Sequence, residues 1–221
     1  MIRWVVAALA GLALLGAVFG VALALTSAGD TANRQTIVLG AEPRYRGFRQ
    51  LPAYAIPSTI LKDTSGQPYD LVARSRGKLL LLYVGYSNCP DVCPAHMANI
   101  AAALKQVSPE VAAKTLVVFI TADPGRDTPA VLRTWLDNFS ADFVGLTGEA
   151  GALANVQRSL GLNPASRTDT NEGGNDMDHA TTVFAFPPES RKAEVVYVAG
   201  TTVEDFAADI SMLIADGRAL P

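Results

Sequence analysis

Apolar residues occur along this chain in two patterns, as short continuous runs and as longer segments in which they recur every three or four positions. The runs over residues 79–86 and 115–121 are typical of strands buried on both faces of a sheet. Helical spacing follows each run, ending at Ser108-Pro109 in the first case and starting at Asp127-Thr128-Pro129 in the second. The alternation of strand and helix predicts an α/β fold.

The C-terminal third continues with a helix, a polar segment, two strands and a last helix. Residues 163–178 are polar and contain glycine, and we expect a long loop there. Thr181–Phe186 and Glu194–Val198 are predicted strands, and Thr202 with Asp205 is a helix-capping pair. The final helix is predicted to end near Gly217. The element order predicts a thioredoxin-like α/β sandwich.

The N-terminal segment has a different character, since Trp4 to Leu25 is apolar throughout and carries no charge. About 20 such residues span a bilayer as a helix. We therefore predict a membrane anchor over residues 1–28, a linker over 29–50 and a folded domain over 51–221. Arg3 at the N-terminal side favours a cytoplasmic N-terminus and an exported domain. The alternative is a cleaved signal peptide ending near Thr26-Ser27-Ala28.

Charge and cysteine content narrow the classes of function. The 18 basic and 21 acidic residues give a net charge of −3, with no basic run, so nothing indicates nucleic-acid binding. The chain has two cysteines, Cys89 and Cys93. An exported domain could join them in a disulfide, but a bridge across so short a loop stabilises little. The pair is therefore predicted to be functional.

The chemistry predicted for the cysteine pair is thiol exchange or soft-metal binding. The pair lies where the first buried strand gives way to a helix, and residues four apart share one face of a helix. A helix N-terminus favours the thiolate, and two thiolates suit Cu(I). Zinc fits less well, because a structural zinc site needs four ligands.

The two histidines, His96 and His179, are the next candidates for metal ligands. His179 ends the polar segment just before a strand, and in a thioredoxin-like fold this junction lies within reach of the cysteines, so we predict it as a ligand. His96 is predicted to face solvent from the helix. Met177 is a weaker thioether candidate. Asp91 is expected to help cap its helix, with tuning of thiol acidity or contact with a partner as the alternatives, and Asp127 or Thr128 is expected to cap the next helix.

Several segments resemble one known family. The sequence YVGYSNCPDVCP, residues 83–94, resembles the strand and CPDVCP motif of Sco/SenC proteins, and TADPGRDTPAVL, residues 121–132, resembles their DPxRDTPxVL segment. FVGLTG at 143–148 and Asp178-His179 follow in the family's order, and residues 62–68 are similar to its early hairpin. Asn88 stands where many members have histidine or another residue, a change that leaves the ligand set intact.

This resemblance implies a membrane-anchored, thioredoxin-like copper protein that helps assemble the CuA centre of cytochrome c oxidase. It implies copper, as Cu(I) or Cu(II), on Cys89, Cys93 and His179. The implied partner is subunit II of the oxidase, and another periplasmic copper chaperone is a further candidate. The location implied is the inner membrane, with one span and the domain on the periplasmic side.

Two functions remain open at this point. The leading hypothesis is a copper chaperone, which is a binding and transfer protein rather than an enzyme. The alternative is a thiol–disulfide reductase, in which Cys89 and Cys93 keep the CuA-site cysteines of the oxidase reduced by mixed-disulfide exchange. Against a general oxidoreductase, His179-Ala180 and not a proline precedes the Thr181 strand.

Overall fold

A computed structural model describes residues 36–38, 44–169, 175–178 and 181–217. Residues from Gln35 onward form one compact unit. The predicted anchor, residues 1–28, lies outside the described residues. Within the described ranges, every helix is too short or too polar to cross a membrane.

The described elements alternate along the chain much as the apolar pattern predicts. The strands are β1 Thr36–Val38, β2 Phe48–Ala55, β3 Leu61–Asp63, β4 Pro68–Tyr69, β5 Leu79–Gly85, β6 Thr115–Thr121, β7 Val144–Thr147, β8 Ser166–Asp169, β9 Asn175–Asp178, β10 Val183–Phe186 and β11 Lys192–Tyr197. The helices are α1 Leu71–Arg74, α2 Val92–Gln106, α3 Pro109–Ala113, α4 Pro129–Asp137, α5 Ala150–Ser159 and α6 Val203–Asp216.

Nine of the described strands form one mixed sheet in the order β1-β2-β11-β10-β5-β6-β7-β3-β4. Its centre is parallel, with Tyr83 of β5 opposite Phe119 of β6, and Phe119 opposite Gly145 of β7. β10 runs antiparallel to β5 on the other side. Every residue of β5 is buried, as expected for a strand covered on both faces. This arrangement confirms the predicted α/β class.

Strand periodicity and register assign the two faces of the sheet. Tyr83, Gly85 and Phe119 share one face, because side chains alternate along a strand and these positions are two apart or paired. α2 and α6 cover this face, since the ring of His96 in α2 meets both Tyr83 and Phe206. Phe184 lies on the opposite face and packs against Tyr54 of β2.

The folded unit begins earlier than the predicted boundary at residue 51. β1 pairs with β2, and Phe48 of β2 pairs with Val196 of β11, so part of the predicted linker belongs to the sheet. The buried Asp209 of α6 accepts hydrogen bonds from the backbone N–H groups of Arg46 and Gly47, both at 2.9 Å. The polar, arginine-containing sequence did not predict these contacts, because they depend on a helix far along the chain.

The predicted long loop over 163–178 also contains regular structure. Ser166–Asp169 and Asn175–Asp178 pair as an antiparallel two-stranded sheet. Polar strands without an alternating apolar face carry little periodic signal, and the sequence therefore indicated a loop.

Helix ends agree more closely with the sequence. Thr202 and Asp205 form a reciprocal capping box at the start of α6, and Gly217 ends that helix in the left-handed conformation at φ 61°. Thr128 caps α4 by accepting a hydrogen bond from the N–H of Val131. Ser108-Pro109 ends α2 as predicted, but it also begins the short helix α3, because serine caps and proline is favoured at the first helical position.

Candidate metal centre

Cys89 and Cys93 lie at the C-terminal end of β5, on either side of the start of α2. Cys93 is in the first turn of the helix. Cys89 lies in the turn before the helix, and its backbone N–H donates a hydrogen bond to the carbonyl of Tyr86 at 3.2 Å. Cys89 is 7% exposed and Cys93 is fully buried. Neither forms a disulfide within this described part of the chain. The loop, rather than one helix face, brings the two sulfurs together.

Tyr83 of β5 contacts the inner cysteine directly. Its hydroxyl donates a hydrogen bond to Cys93 Sγ at 3.3 Å. Gly85, two residues further along the same face, makes room for this sulfur, since an added Cβ would lie 2.8 Å from Cys93 Sγ. Burial raises the pKa of the Tyr83 phenol, so its hydroxyl keeps a proton to donate at neutral pH.

Burial also controls the protonation of Cys93. It raises the pKa of the Cys93 thiol to about 12, although the hydrogen bond from Tyr83 acts in the opposite direction. The sequence predicted a thiolate favoured by the helix N-terminus, and for Cys93 this prediction is wrong because removal from water outweighs the helix dipole. The inner cysteine is therefore a thiol until a metal or a reaction displaces its proton.

His96 is buried rather than facing solvent as predicted. It is 1% exposed, and its Nε2 lies 3.0 Å from the carbonyl oxygen of Val198. Its ring meets the ring of Tyr83 edge-on, with centroids 5.2 Å apart. Burial lowers the pKa of this imidazole, so it is neutral at neutral pH and Nε2 is the donor to Val198. Because α6 packs over α2, the polar position in the helix pattern is enclosed.

Asp127 fastens the cysteine loop to the rest of the domain. The carboxylate is fully buried and accepts hydrogen bonds from the N–H of Ser87 at 3.0 Å, from the Ser87 hydroxyl and from Thr121 Oγ1 at 2.6 Å. We predicted helix capping by Asp127 or Thr128, and Thr128 is the residue that caps α4. The neighbouring Arg126 forms an ion pair with Asp123 and lies over the ring of Tyr86.

Asp91 occupies the N-cap position of α2, as predicted. Its side chain accepts no capping hydrogen bond from the described backbone of this helix. The N-terminal N–H groups of α2 therefore do not use the carboxylate, which is exposed beside the two cysteines.

His179, the third predicted ligand, lies outside the described residues, and nothing is described for the side chain of Met177. The strand that follows His179 is described, however. β10 begins at Val183, which pairs with Tyr83, and it runs antiparallel to β5. Its N-terminal end therefore lies at the end of β5 that leads into the cysteine loop.

The donor set of this site suits a soft metal ion. Two sulfurs lie close together in a largely dry position, and thiolates prefer soft ions such as Cu(I). Among the described residues, no group of three or more histidine, cysteine, aspartate or glutamate side chains could hold a metal ion. The two cysteines alone would thus form a site of low coordination number.

Tyr83, Ser87 and Asp127 are the residues around the cysteines that the sequence did not identify. Period-two alternation in β5 could have indicated Tyr83, because it shares a face with Gly85 next to the cysteine-bearing helix. No local signal distinguishes a buried Asp127 from a capping one.

Comparison with known proteins finds both similar sequences and similar solved structures. The protein sco1 of Schizosaccharomyces pombe is 30% identical over 137 residues, which cover 61% of this chain and 52% of that protein. Among the curated relatives that come first by similarity, the matched part covers about half to two thirds of their length.

Solved structures match over most of the folded unit. The copper-bound structure of Bradyrhizobium japonicum ScoI is 28% identical, with a TM-score of 0.58 over 73% of this chain and 98% of the other. The apo Sco1 protein from Thermus thermophilus is 25% identical, with a TM-score of 0.68 over 79% of this chain and 100% of the other. Since the SCO1/SenC profile matches residues 59–215, more than half of the chain, the protein belongs to the SCO1/SenC family.

Proposed function

We propose that this protein is a membrane-anchored copper chaperone that binds one copper ion through Cys89, Cys93 and His179 and helps assemble the CuA centre of cytochrome c oxidase. Copper is the cargo in this proposal. The observation that carries it is the pair of neighbouring thiols, one fully buried and one 7% exposed, at the junction of β5 and α2.

The geometry supports a transferable site. Two thiolates hold Cu(I) by soft-ligand preference, and a low coordination number leaves room for an incoming acceptor sulfur. Cys89 is the more exposed of the two sulfurs, so an acceptor reaches the copper from its side. Cys93 must lose its proton on binding, since burial raises its pKa to about 12, and copper binding should therefore release a proton.

The strand register supports His179 as the third ligand. His179 is four residues before Val183, which pairs with Tyr83, the residue bonded to Cys93 Sγ. Four residues of extended chain span at most about 14 Å. This short separation along the chain supports the proposal that the imidazole of His179 completes a site with two sulfurs and one nitrogen.

Family membership and the comparisons support copper as the cargo and the oxidase as the destination. The ScoI structure from Bradyrhizobium japonicum holds copper. The resemblance to Sco/SenC proteins implies delivery to the CuA domain of subunit II, with another periplasmic copper chaperone as a further partner. We place the domain on the periplasmic side of the inner membrane, held by the apolar segment over residues 1–28.

The test is copper binding by the full-length chain in detergent, comparing wild type with His179→Ala. We expect one Cu(I) per wild-type chain in competition with a chromophoric chelator. His179→Ala should bind more weakly by roughly 100-fold or more, since even loss of residues behind metal ligands costs 10–100-fold. Cu(II) binding should fall as well. Unchanged affinities in this variant would reject His179 as a ligand.

His96→Gln is the matched control, because His96 is the other histidine of the chain. Glutamine removes the imidazole but keeps a side-chain N–H that can donate to the Val198 carbonyl. Copper affinity should fall far less than in His179→Ala, because His96 is hydrogen-bonded to Val198 and acts on the site only through its contact with the Tyr83 ring. A loss of copper affinity as large as that of His179→Ala would contradict the assignment of the ligand role to His179 rather than His96.

The second candidate function is reduction of the oxidase's CuA-site cysteines. The observation that favours it is the side-chain contact between Cys89 and Cys93, the two thiols that would form the disulfide. In that reaction the acceptor disulfide gains two electrons and two protons, while Cys89 and Cys93 form a disulfide. Rapid reduction of an oxidised CuA domain by the copper-free chain, unaffected by His179→Ala, would favour this function.

A further inference from the structure

Tyr83 is the polar side chain that contacts a sulfur of the pair from the sheet. Its hydroxyl lies 3.3 Å from Cys93 Sγ, and both side chains are at most 1% exposed. Water has little access to this position, and a lost hydrogen bond could not readily be replaced by solvent.

The ring of Tyr83 is held in place on two sides. His96 meets it edge-on with centroids 5.2 Å apart, and Phe119 meets it at 5.7 Å. His96 is itself fixed by its contact with the Val198 carbonyl. The absence of a side chain at Gly85 lets Cys93 Sγ come down to the sheet. The position of the hydroxyl relative to the sulfur is therefore built into the fold.

We propose that Tyr83 is a positioning residue whose hydroxyl stabilises the reduced, copper-binding form of Cys93 over its disulfide. A thiolate on copper is a stronger acceptor than a neutral thiol, because a charged acceptor strengthens a hydrogen bond. A disulfide sulfur is a weaker acceptor still. The hydroxyl thus favours the reduced pair in the absence of copper, and favours it more when copper is bound. The copper part of this inference rests on the proposed function, and the redox part does not.

The redox test equilibrates the full-length chain in detergent with mixtures of reduced and oxidised glutathione. One glutathione disulfide and the two thiols of the chain give the Cys89–Cys93 disulfide and two glutathione molecules, with two electrons and two protons passing to glutathione. The disulfide fraction is read by alkylation of the remaining thiols and mass spectrometry. For Tyr83→Phe we expect the equilibrium constant to shift roughly 3- to 10-fold toward the disulfide, the range that one buried hydrogen bond accounts for.

Tyr197→Phe is the matched control, since Tyr197 is fully buried and lies in the same row of the sheet. The row runs from Tyr83 through Val183 to Tyr197. The thiol–disulfide equilibrium constant of Tyr197→Phe should stay within about twofold of the wild-type value. Equal constants for wild type and Tyr83→Phe, or equal shifts in both variants, would overturn the proposal.

Two further measurements keep the outcome interpretable. Cu(I) affinity should fall in Tyr83→Phe by at least as large a factor as the thiol–disulfide equilibrium constant shifts. If wild type binds no copper while the redox shift is present, the proposed function fails and the redox role of Tyr83 stands.

The second measurement uses wild type alone. The Tyr83 hydroxyl proton, followed by NMR, should exchange with solvent more slowly in the reduced chain than in the disulfide form. Equal exchange in the two forms would contradict the proposal even if the variant did not fold.

Discussion

Burial dominates the chemistry of individual residues around the cysteine pair. A helix N-terminus stabilises a thiolate by a partial charge that acts over one turn, whereas burial removes the whole hydration of the anion. At Cys93 burial is the larger effect, and it raises the pKa to about 12. The same burial lowers the pKa of His96 and keeps this imidazole neutral beside Tyr83. The inner half of the site is therefore uncharged without copper.

His96 gives the domain a pH-dependent stability. In the unfolded chain its pKa is about 6.5, and in the folded chain it is lower, so below about pH 6.5 the unfolded state binds more protons. The free energy of unfolding should therefore fall as the pH falls from about 7.5 to about 5. His96→Gln, which cannot titrate, should lose less stability over this interval in urea denaturation. Equal losses in the two proteins would contradict the assignment.

At the scale of elements, Asp127 joins three pieces of chain, one of which lies 40 residues away in the sequence. It lies next to the N-cap of α4, accepts from Thr121 at the end of β6, and accepts from Ser87 in the loop that leads to Cys89. A helix start, a strand end and the cysteine loop are thus held by one buried carboxylate. The resulting rigidity positions Cys89 relative to Cys93.

Asp127→Ala should lower the free energy of unfolding by about 2–4 kcal/mol, because it leaves the Ser87 N–H and the Thr121 hydroxyl buried without their acceptor. Urea denaturation measures this change, and the rate of Cys89 alkylation should rise. Asp137→Ala, at the other end of α4, is the control. Asp137 forms an exposed ion pair with Arg133, whose loss costs at most about 1 kcal/mol. Similar losses in the two variants would contradict the role of Asp127.

At the scale of the whole molecule, the described residues before residue 51, 36–38 and 44–50, are part of the folded unit. Asp209 in α6 accepts from the N–H groups of Arg46 and Gly47, and Asp216 accepts from the hydroxyl of Tyr45 at 2.7 Å. Burial raises the pKa of Asp209, while the two backbone donors act against that rise. Hydrogen bonds from residues 45–47 to α6 thus hold the N-terminal part of the folded unit against the last helix.

A chain beginning at residue 35 should therefore be more stable than one beginning at residue 51. The shorter chain loses β1, three residues of β2 and both backbone donors to Asp209. We expect its free energy of unfolding to be lower by at least about 3 kcal/mol, since each hydrogen bond to a charged group contributes about 1.5–3 kcal/mol. Denaturation of the two purified chains measures the difference. Equal stability would mean that the N-terminal strands are dispensable.

Much of the fold was predictable because its signals are local. The continuous apolar runs of β5 and β6, the caps at Thr128 and Thr202, and the stop at Gly217 depend on neighbours within a few residues. The strands that the sequence did not predict also have a physical reason for being missed. β1, β8 and β9 carry no alternating apolar pattern, and their pairing depends on register rather than on composition.

The sequence by itself determined the α/β class and the place of Cys89 and Cys93 at a strand-to-helix junction, because these follow from periodicity and from adjacent residues. It also indicated the family, through the resemblance of several motifs. Only the tertiary structure decided what surrounds the sulfurs. Tyr83 reaches Cys93 because Gly85 leaves space, and Asp127 reaches Ser87 across 40 positions of chain. Contacts of this kind depend on how strands and helices pack, and no local pattern in the chain encodes them.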